Sequence, residues 1–235
     1  MSKALLLVGS PRDRSTSQVL GQAMLDALAA KGFECETLRL TGLLETQEGR
    51  ARLLGAYLGA DLVVLASPVY VDAPPAAVMR ALEFLAGEQT PLPGARRLCA
   101  VFNCGFPEVE HTALSLDVCR LFAKRAGLQW AGGLGVSAGG AVNGKALETR
   151  GRVTCPLRRA LTLAAEALAS GLPIPQEAID LAARPLLPRW LYLLMAQTGW
   201  LTQALKRRTL FRLDARPFAS VPRTNDTKHR TPKIP

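Results

Sequence analysis

Cysteine pairs, histidine clusters and long apolar runs are all missing from this 235-residue chain, and each gap removes a class of function. The five cysteines, at 35, 99, 104, 119 and 155, are odd in number and include no C-x-x-C pair. That argues against a disulfide framework, a zinc site and a cysteine-held iron–sulfur cluster, and leaves buried or incidental thiols. His111 and His229 are the only histidines, and neither has a Cys or carboxylate cluster at usable spacing, so no metal ligand is assigned. No G-x-S-x-G elbow supports a serine hydrolase. The apolar stretch within Met1 to Val8 is too short for a secretory signal. The run from Trp190 to Ala196 falls far below the roughly 20 residues of a membrane-spanning helix. The chain therefore reads as soluble and cytoplasmic.

What is present is an ordinary globular composition, 49% hydrophobic and 20% charged, with a net charge of +10. The charge is unevenly placed. Residues 173–235 hold 11 Lys+Arg against 4 Asp+Glu, whereas residues 1–172 hold 18 against 15, so the basicity belongs to the tail. The tail carries no recognisable reading motif, and its charge alone supports only salt-sensitive attraction, so nucleic acid is not expected as a partner.

Residues 1–172 alternate short apolar runs with segments of helical periodicity, the pattern of a doubly wound α/β domain with a parallel sheet. Strands are expected at 4–8, 34–40, 62–66, 98–102 and 133–137. Leu20, Ala23, Met24, Ala27 and Leu28 form one helical stripe, and Val78, Ala81, Leu82, Leu85 and Ala86 a second. A third stripe is Leu114, Val118, Leu121 and Phe122, and a further one runs from Leu157 to Leu168. A weaker helix is expected over 49–57. From 173 to 235 the chain reads as a C-terminal extension, with two helical stretches broken by Pro185 and Pro188 and a basic tail from about 216. The stretch 186–208 is apolar, carries Trp190, Tyr192 and Trp200 and ends in Lys206-Arg207-Arg208. Packing on the domain or across a dimer interface is the favoured reading; an amphipathic helix on an anionic membrane is the other.

In an open parallel sheet, ligands bind outside the carboxyl ends of the strands. The loop after the first strand, Gly9 to Ser17, supplies the hydroxyls of Ser10, Ser15, Thr16 and Ser17, the guanidinium groups of Arg12 and Arg14, and a helix start. Those are the parts of a phosphate seat, although a plain N-cap needs one such hydroxyl anyway. After the third strand, prolines at 68, 74 and 75 stiffen a loop bearing Val69, Tyr70 and Val71, a wall suited to a flat ring. After the fourth, Asn103, Cys104, Gly105 and Phe106 offer polar, small and apolar groups with little charge.

The string Leu7-Val8-Gly9-Ser10-Pro11-Arg12 with Ser15 and Ser17, followed by Ser67-Pro68-Val69-Tyr70 and Pro74-Pro75-Ala76, resembles the NAD(P)H-dependent FMN reductase branch of the flavodoxin-like flavoproteins. The resemblance spans about residues 3 to 172. It implies a flavodoxin-like five-stranded parallel sheet in the order 2-1-3-4-5, FMN bound across the strand ends, and frequent homodimers. By position, Ser10, Arg12, Ser15, Thr16 and Ser17 would hold the phosphate. Pro68, Val69 and Tyr70 would line one side of the isoalloxazine, and Asn103, Cys104 and Gly105 its other edge. Related iron–sulfur flavoproteins carry a compact cysteine motif after the second strand; Arg39–Arg52 contains none. The implied activity is hydride transfer from NAD(P)H to FMN and onward to a small acceptor such as a quinone, with no side chain singled out as catalytic. The alternative is a non-catalytic flavodoxin-like binding or signalling domain whose C-terminal extension recruits a partner or membrane.

Two other motifs are weaker. Gly139 to Ala146 misses a P-loop at Ala146, where Ser or Thr must reach magnesium, and reads as a flexible loop after the last strand. Gly133 to Ala138 matches G-x-G-x-x-A with its glycines inside the presumed strand, where the motif has no function. His111 reads as a solvated residue at a helix start, close enough to the third loop to line a cleft.

Overall fold

A computed structural model describes residues 1–87, 96–212 and 215. Five strands, β1 (Lys3–Val8), β2 (Glu34–Arg39), β3 (Leu62–Pro68), β4 (Arg97–Asn103) and β5 (Gln129–Val136), pair in parallel in the order β2-β1-β3-β4-β5. Crossovers are α1 (Thr16–Ala29), α2 (Gln47–Gly59), α3 (Ala76–Gly87) and α4 (Ala113–Arg125), with α5 (Cys155–Ala169) and α6 (Gln176–Ala183) following β5. The order is the one implied by the resemblance. The chain leaves β1 toward β2 on one side and returns to β3 on the other, so the crevice of the fold opens outside the carboxyl ends of β1 and β3.

Two-residue alternation along the strands makes two cores. Leu6 and Val8 of β1 join Leu20, Met24 and Leu28 of α1 and Leu157, Leu161 and Leu168 of α5 on one face. Leu5 and Leu7 join Leu53 and Tyr57 of α2, Val78 and Leu82 of α3 and Phe122 of α4 on the other. Gly21 lets α1 lie close to the sheet, since a Cβ there would come within 2.7 Å of the Leu6 and Ala66 side chains. β3 is buried from end to end, which explains its continuous apolar sequence.

The α4 stripe differs from the expected one. The helix buries Ser115, Cys119, Phe122 and Ala123, while Leu114 and Leu121 remain 55% and 62% exposed. The buried row Ser115, Cys119 and Phe122 recurs at i, i+4 and i+7, one position on from Leu114, Val118 and Leu121, with Ala123 beside it and Leu116 and Val118 packed against the same core. β5 starts four residues earlier than expected, at Gln129, and tolerates Gly132 and Gly133 because neighbouring side chains fill the space. Gly133 and Gly135 lie inside this strand, away from any strand-to-helix turn.

Contacts divide the chain into Met1–Tyr192 and Leu193–Pro235. The compositional boundary after residue 172 lies earlier, and α6 accounts for the difference: Ala178, Leu181 and Ala182 are buried in the same cluster as α5. The second unit begins inside α7 (Arg189–Lys206) and continues through a short turn at Leu210–Arg212. Ala204 is the buried residue of α7. The basic tail expected from about 216 lies outside the described residues.

Candidate functional site

The loop after β1 begins with an obligatory glycine. A Cβ on Gly9 would fall 2.3 Å from Val78 Cγ2 and 2.6 Å from Ser67 Oγ, so only glycine lets this loop cross beside the end of β3. Ser10 and Ser15 are buried, whereas Arg12 and Arg14 are exposed. Ser15 is the N-cap of α1, its Oγ accepting from the Gln18 N–H at 3.1 Å. Ser10 Oγ accepts from the Arg12 N–H at 3.3 Å. In both contacts the hydroxyl is the acceptor, so its proton remains free for an anion. Thr16 and Ser17 are committed differently. Thr16 Oγ1 donates to the Gly139 carbonyl at 2.8 Å, and Ser17 Oγ donates to Asn103 Oδ1 at 2.8 Å. Their hydroxyls therefore brace the site, and their contribution to an anion is the unpaired first-turn N–H of the helix.

Charge at this loop is arranged by a residue the sequence did not single out. Arg39 at the end of β2 reaches Asp13 Oδ1 at 2.8 Å, the Asp13 carbonyl at 3.1 Å and Gln18 Oε1 at 3.3 Å. It occupies the one carboxylate of the loop, and among the described residues Arg12 and Arg14 have no acidic partner.

Asn103 joins the remaining loops. Its carbonyl accepts the Val69 N–H at 2.9 Å, its Oδ1 takes the Ser17 hydroxyl, and its Nδ2 lies where a Cβ on Gly139 would come within 2.8 Å. Cys104 is clamped by backbone to β5: its N–H donates to Val136 at 3.0 Å and its carbonyl accepts from Gly139 at 2.9 Å. Burial pushes the Cys104 thiol up from its ordinary value, with Sγ within 3.4 Å of the Phe106 carbonyl and 3.2 Å of the Glu108 carbonyl. A Cβ on Gly105 would meet nothing within 4 Å, so that side of the loop stays open.

The loop after β3 ends in a tight reversal. Tyr70 and Ala73 exchange backbone hydrogen bonds of 2.9 and 3.3 Å around Val71 and Asp72, whose φ values are 52° and 59°. Two left-handed residues define a type I′ turn, a conformation that a β-branched side chain adopts only under strain. His111 holds this turn from across the rim, with Nδ1 2.6 Å from Asp72 Oδ1 and its ring 5.1 Å from that of Phe106. It is thus a half-buried contact in a 3-10 turn rather than a solvated helix start.

These loops line one cleft of about 460 Å³. Ser10, Arg12, Ser15, Thr16 and Ser17 contribute one part of its wall, Pro68, Val69 and Tyr70 another, and Asn103, Cys104 and Gly105 a third. Every sequence-predicted site residue is therefore brought together. Arg14, Val71 and Phe106 line it too, and no carboxylate does. The sequence reading missed a fourth wall, Gly139, Gly140, Asn143 and Gly144, in the loop after β5. In sequence this stretch reads as a P-loop that lacks its hydroxyl at Ala146. Its position directly after a strand was the available signal, because in a parallel sheet each such loop faces the same edge. Gly144, at φ 65°, sits so close to the first loop that a Cβ would come 2.6 Å from the Arg14 carbonyl oxygen.

Comparison with known proteins gives the following. Residues 2–96 match the family model of NADPH-dependent FMN reductases, a span holding the loops after β1 and β3 and ending before β4. No curated protein matches the chain significantly. Among solved structures, an FMN-dependent NADH-azoreductase from Bacillus anthracis str. Ames Ancestor, in complex with FMN, is 14% identical. It aligns over 72% of this chain and all of its own, with a TM-score of 0.53. A NAD(P)H:quinone oxidoreductase from Methanothermobacter marburgensis is 16% identical over 72% of this chain and 96% of its own, with a TM-score of 0.53. A Streptococcus pneumonia TIGR4 flavodoxin is 17% identical over 73% of this chain and all of its own, with a TM-score of 0.51. At these identities the likeness establishes the flavodoxin-like fold.

Proposed function

We propose that this chain is an FMN-dependent NAD(P)H oxidoreductase that delivers electrons to a small acceptor such as a quinone. One observation carries the reading: the loops after β1, β3 and β4 line a single cleft at the reversal of strand order. The donor set there fits FMN. Free hydroxyl protons, a helix amino end and two guanidinium groups with no acidic partner among the described residues suit a phosphate, and Val69, Tyr70 and Phe106 suit a flat aromatic ring. The family match over residues 2–96 supports the same cofactor.

When bound, FMN supplies hydride acceptance and electron delivery. The protein's own residues bind and orient it. Ser10, Ser15 and Arg12 would hold the phosphate, assisted by the N–H groups of Thr16 and Ser17. Pro68, Val69 and Tyr70 would line one side of the ring, and Asn103, Cys104 and Gly105 its edge. Tyr70, 46% exposed, positions an incoming nicotinamide or acceptor by stacking. Hydride transfer needs no side-chain acid or base, so no residue is assigned as catalytic. All of these residues lie within the first unit, Met1–Tyr192, and precede position 172.

Cytoplasmic residence belongs to the same reading and is supported by five free thiols. Homodimer formation belongs to it as well and is checked by sedimentation velocity. FMN titration tests the cofactor: a shifted absorbance spectrum and quenched flavin fluorescence at micromolar protein are expected, and their absence removes the proposal. NAD(P)H consumption with FMN and a quinone then separates an enzyme from a binding domain, which would show the spectral shift without turnover.

A further inference from the structure

Beyond Tyr192, which packs on the core, most large side chains of α7 are exposed. Trp190, Leu194, Leu201 and Leu205 follow one another at helical spacing and are 67%, 54%, 50% and 64% exposed, with Leu193 and Trp200 beside them at 49% and 75%. At 100° per residue these six fall on one side of the helix, with Gln197 and the buried Ala204 among them, while Thr202, Gln203 and Lys206 lie on the other side together with Met195, which is 54% exposed. The charge is equally one-sided. Between Asp180 and Asp214 the sequence holds six Lys+Arg and no acid, four of them at Lys206, Arg207, Arg208 and Arg212 beyond the apolar stripe.

An apolar stripe and an unopposed run of cations call for a partner that is both apolar and anionic. A bilayer surface bearing acidic headgroups meets both demands: acyl chains receive the stripe, phosphates pair with the cations, and tryptophan favours the headgroup level. We propose that α7 and the basic turn after it dock in the plane of an anionic phospholipid membrane. Spanning is a different matter, since no helix among the described residues is long and apolar enough to cross a membrane. The docking is independent of the flavin reading.

The test is co-sedimentation of the full chain with phosphatidylglycerol–phosphatidylcholine vesicles and with phosphatidylcholine alone, at low and high salt. Binding to the anionic vesicles is expected, weakened by salt and by loss of phosphatidylglycerol. Reversing three cations (Lys206→Glu, Arg207→Glu, Arg208→Glu) should lower the affinity by at least roughly 100-fold, since lost attraction alone gives a factor of about five per cation and the new carboxylates add repulsion. Leu194→Asp with Leu201→Asp should remove binding while far-UV circular dichroism stays unchanged. Both variants alter exposed positions, which keeps a folding failure separable. No sedimentation with anionic vesicles, equal binding to neutral ones, or undiminished binding by the charge-reversed chain would overturn the proposal. So would lipid-free self-association that the aspartate pair abolishes without any vesicle binding, which would make the stripe a contact between copies. Vesicle binding that persists in a chain showing no FMN quenching would remove the flavin reading alone.

Discussion

Replacing Arg12 with alanine should cost FMN affinity and leave riboflavin affinity where it was. Arg12 is exposed at the rim of the cleft and has no acidic partner among the described residues, so its charge is available to a phosphate and partly screened by water. A hydrogen bond to a charged group contributes about 1.5–3 kcal/mol when well shielded, and solvent exposure lowers that toward the surface range. The expected loss is about 1–2 kcal/mol, or roughly five- to thirty-fold in Kd. Thr16→Val supplies the contrast, because the Thr16 proton is already given to the Gly139 carbonyl; the FMN-to-riboflavin affinity ratio should hold. Flavin fluorescence quenching measures both affinities for the wild type and each variant, and raising the salt should shrink the Arg12 effect. Equal losses for FMN and riboflavin, or none for either, would refute the assignment of the β1 loop to the phosphate.

The loop after β5 should be sensitive at one glycine and not at its neighbour: Gly144→Ala, at φ 65° and against the Arg14 carbonyl, should destabilise by about 1–3 kcal/mol and weaken FMN binding. Gly140→Ala, with nothing within 4 Å, should stay within about 0.5 kcal/mol in urea unfolding, and equal effects would contradict the packing. Val71→Asn should raise stability by about 1 kcal/mol, because asparagine tolerates the left-handed region that strains valine; an unchanged urea midpoint would count against the turn. Burial pushes the Cys99 and Cys119 thiols up to about 12, so above about pH 9 the unfolded chain holds fewer protons than the folded one. Stability should then fall with rising pH by up to ~1.4 kcal/mol per unit per thiol until the folded thiols also ionise, and Cys119→Ala should flatten the alkaline limb of a urea-midpoint series.

Much of the fold was legible because its signals are redundant. A parallel strand buried on both faces reads as a continuous apolar run, as Leu62 to Ala66 does, and α1 and α3 announce themselves through stripes broad enough to survive an error of one position. The α4 stripe had no such margin. Leu114 and Leu121 are larger apolar side chains than Ser115 and Cys119, yet the buried row is Ser115, Cys119 and Phe122, a shift of one position that a narrow stripe does not resolve. Helix α7 is a different case: periodicity shows that one face is apolar and is silent about what covers it.

The cleft shows a sharper division between residue identity and residue role. Loop position after a strand was enough to nominate Ser10 to Ser17, Pro68 to Tyr70 and Asn103 to Gly105, because topology alone sends those loops to one edge. The same rule applied to the loop after β5 would have found Gly139 to Gly144; matching against a phosphate-loop template instead discarded it over one missing hydroxyl. What no sequence pattern distinguishes is which hydroxyl is free. Ser15 and Ser17 are the same residue two positions apart on one helix start, yet Ser15 accepts from a backbone N–H and keeps its proton while Ser17 gives its proton to Asn103. That difference depends on an amide 86 positions away. It decides which serine can donate to a phosphate, so Ser15→Ala should disturb FMN relative to riboflavin and Ser17→Ala should loosen both alike.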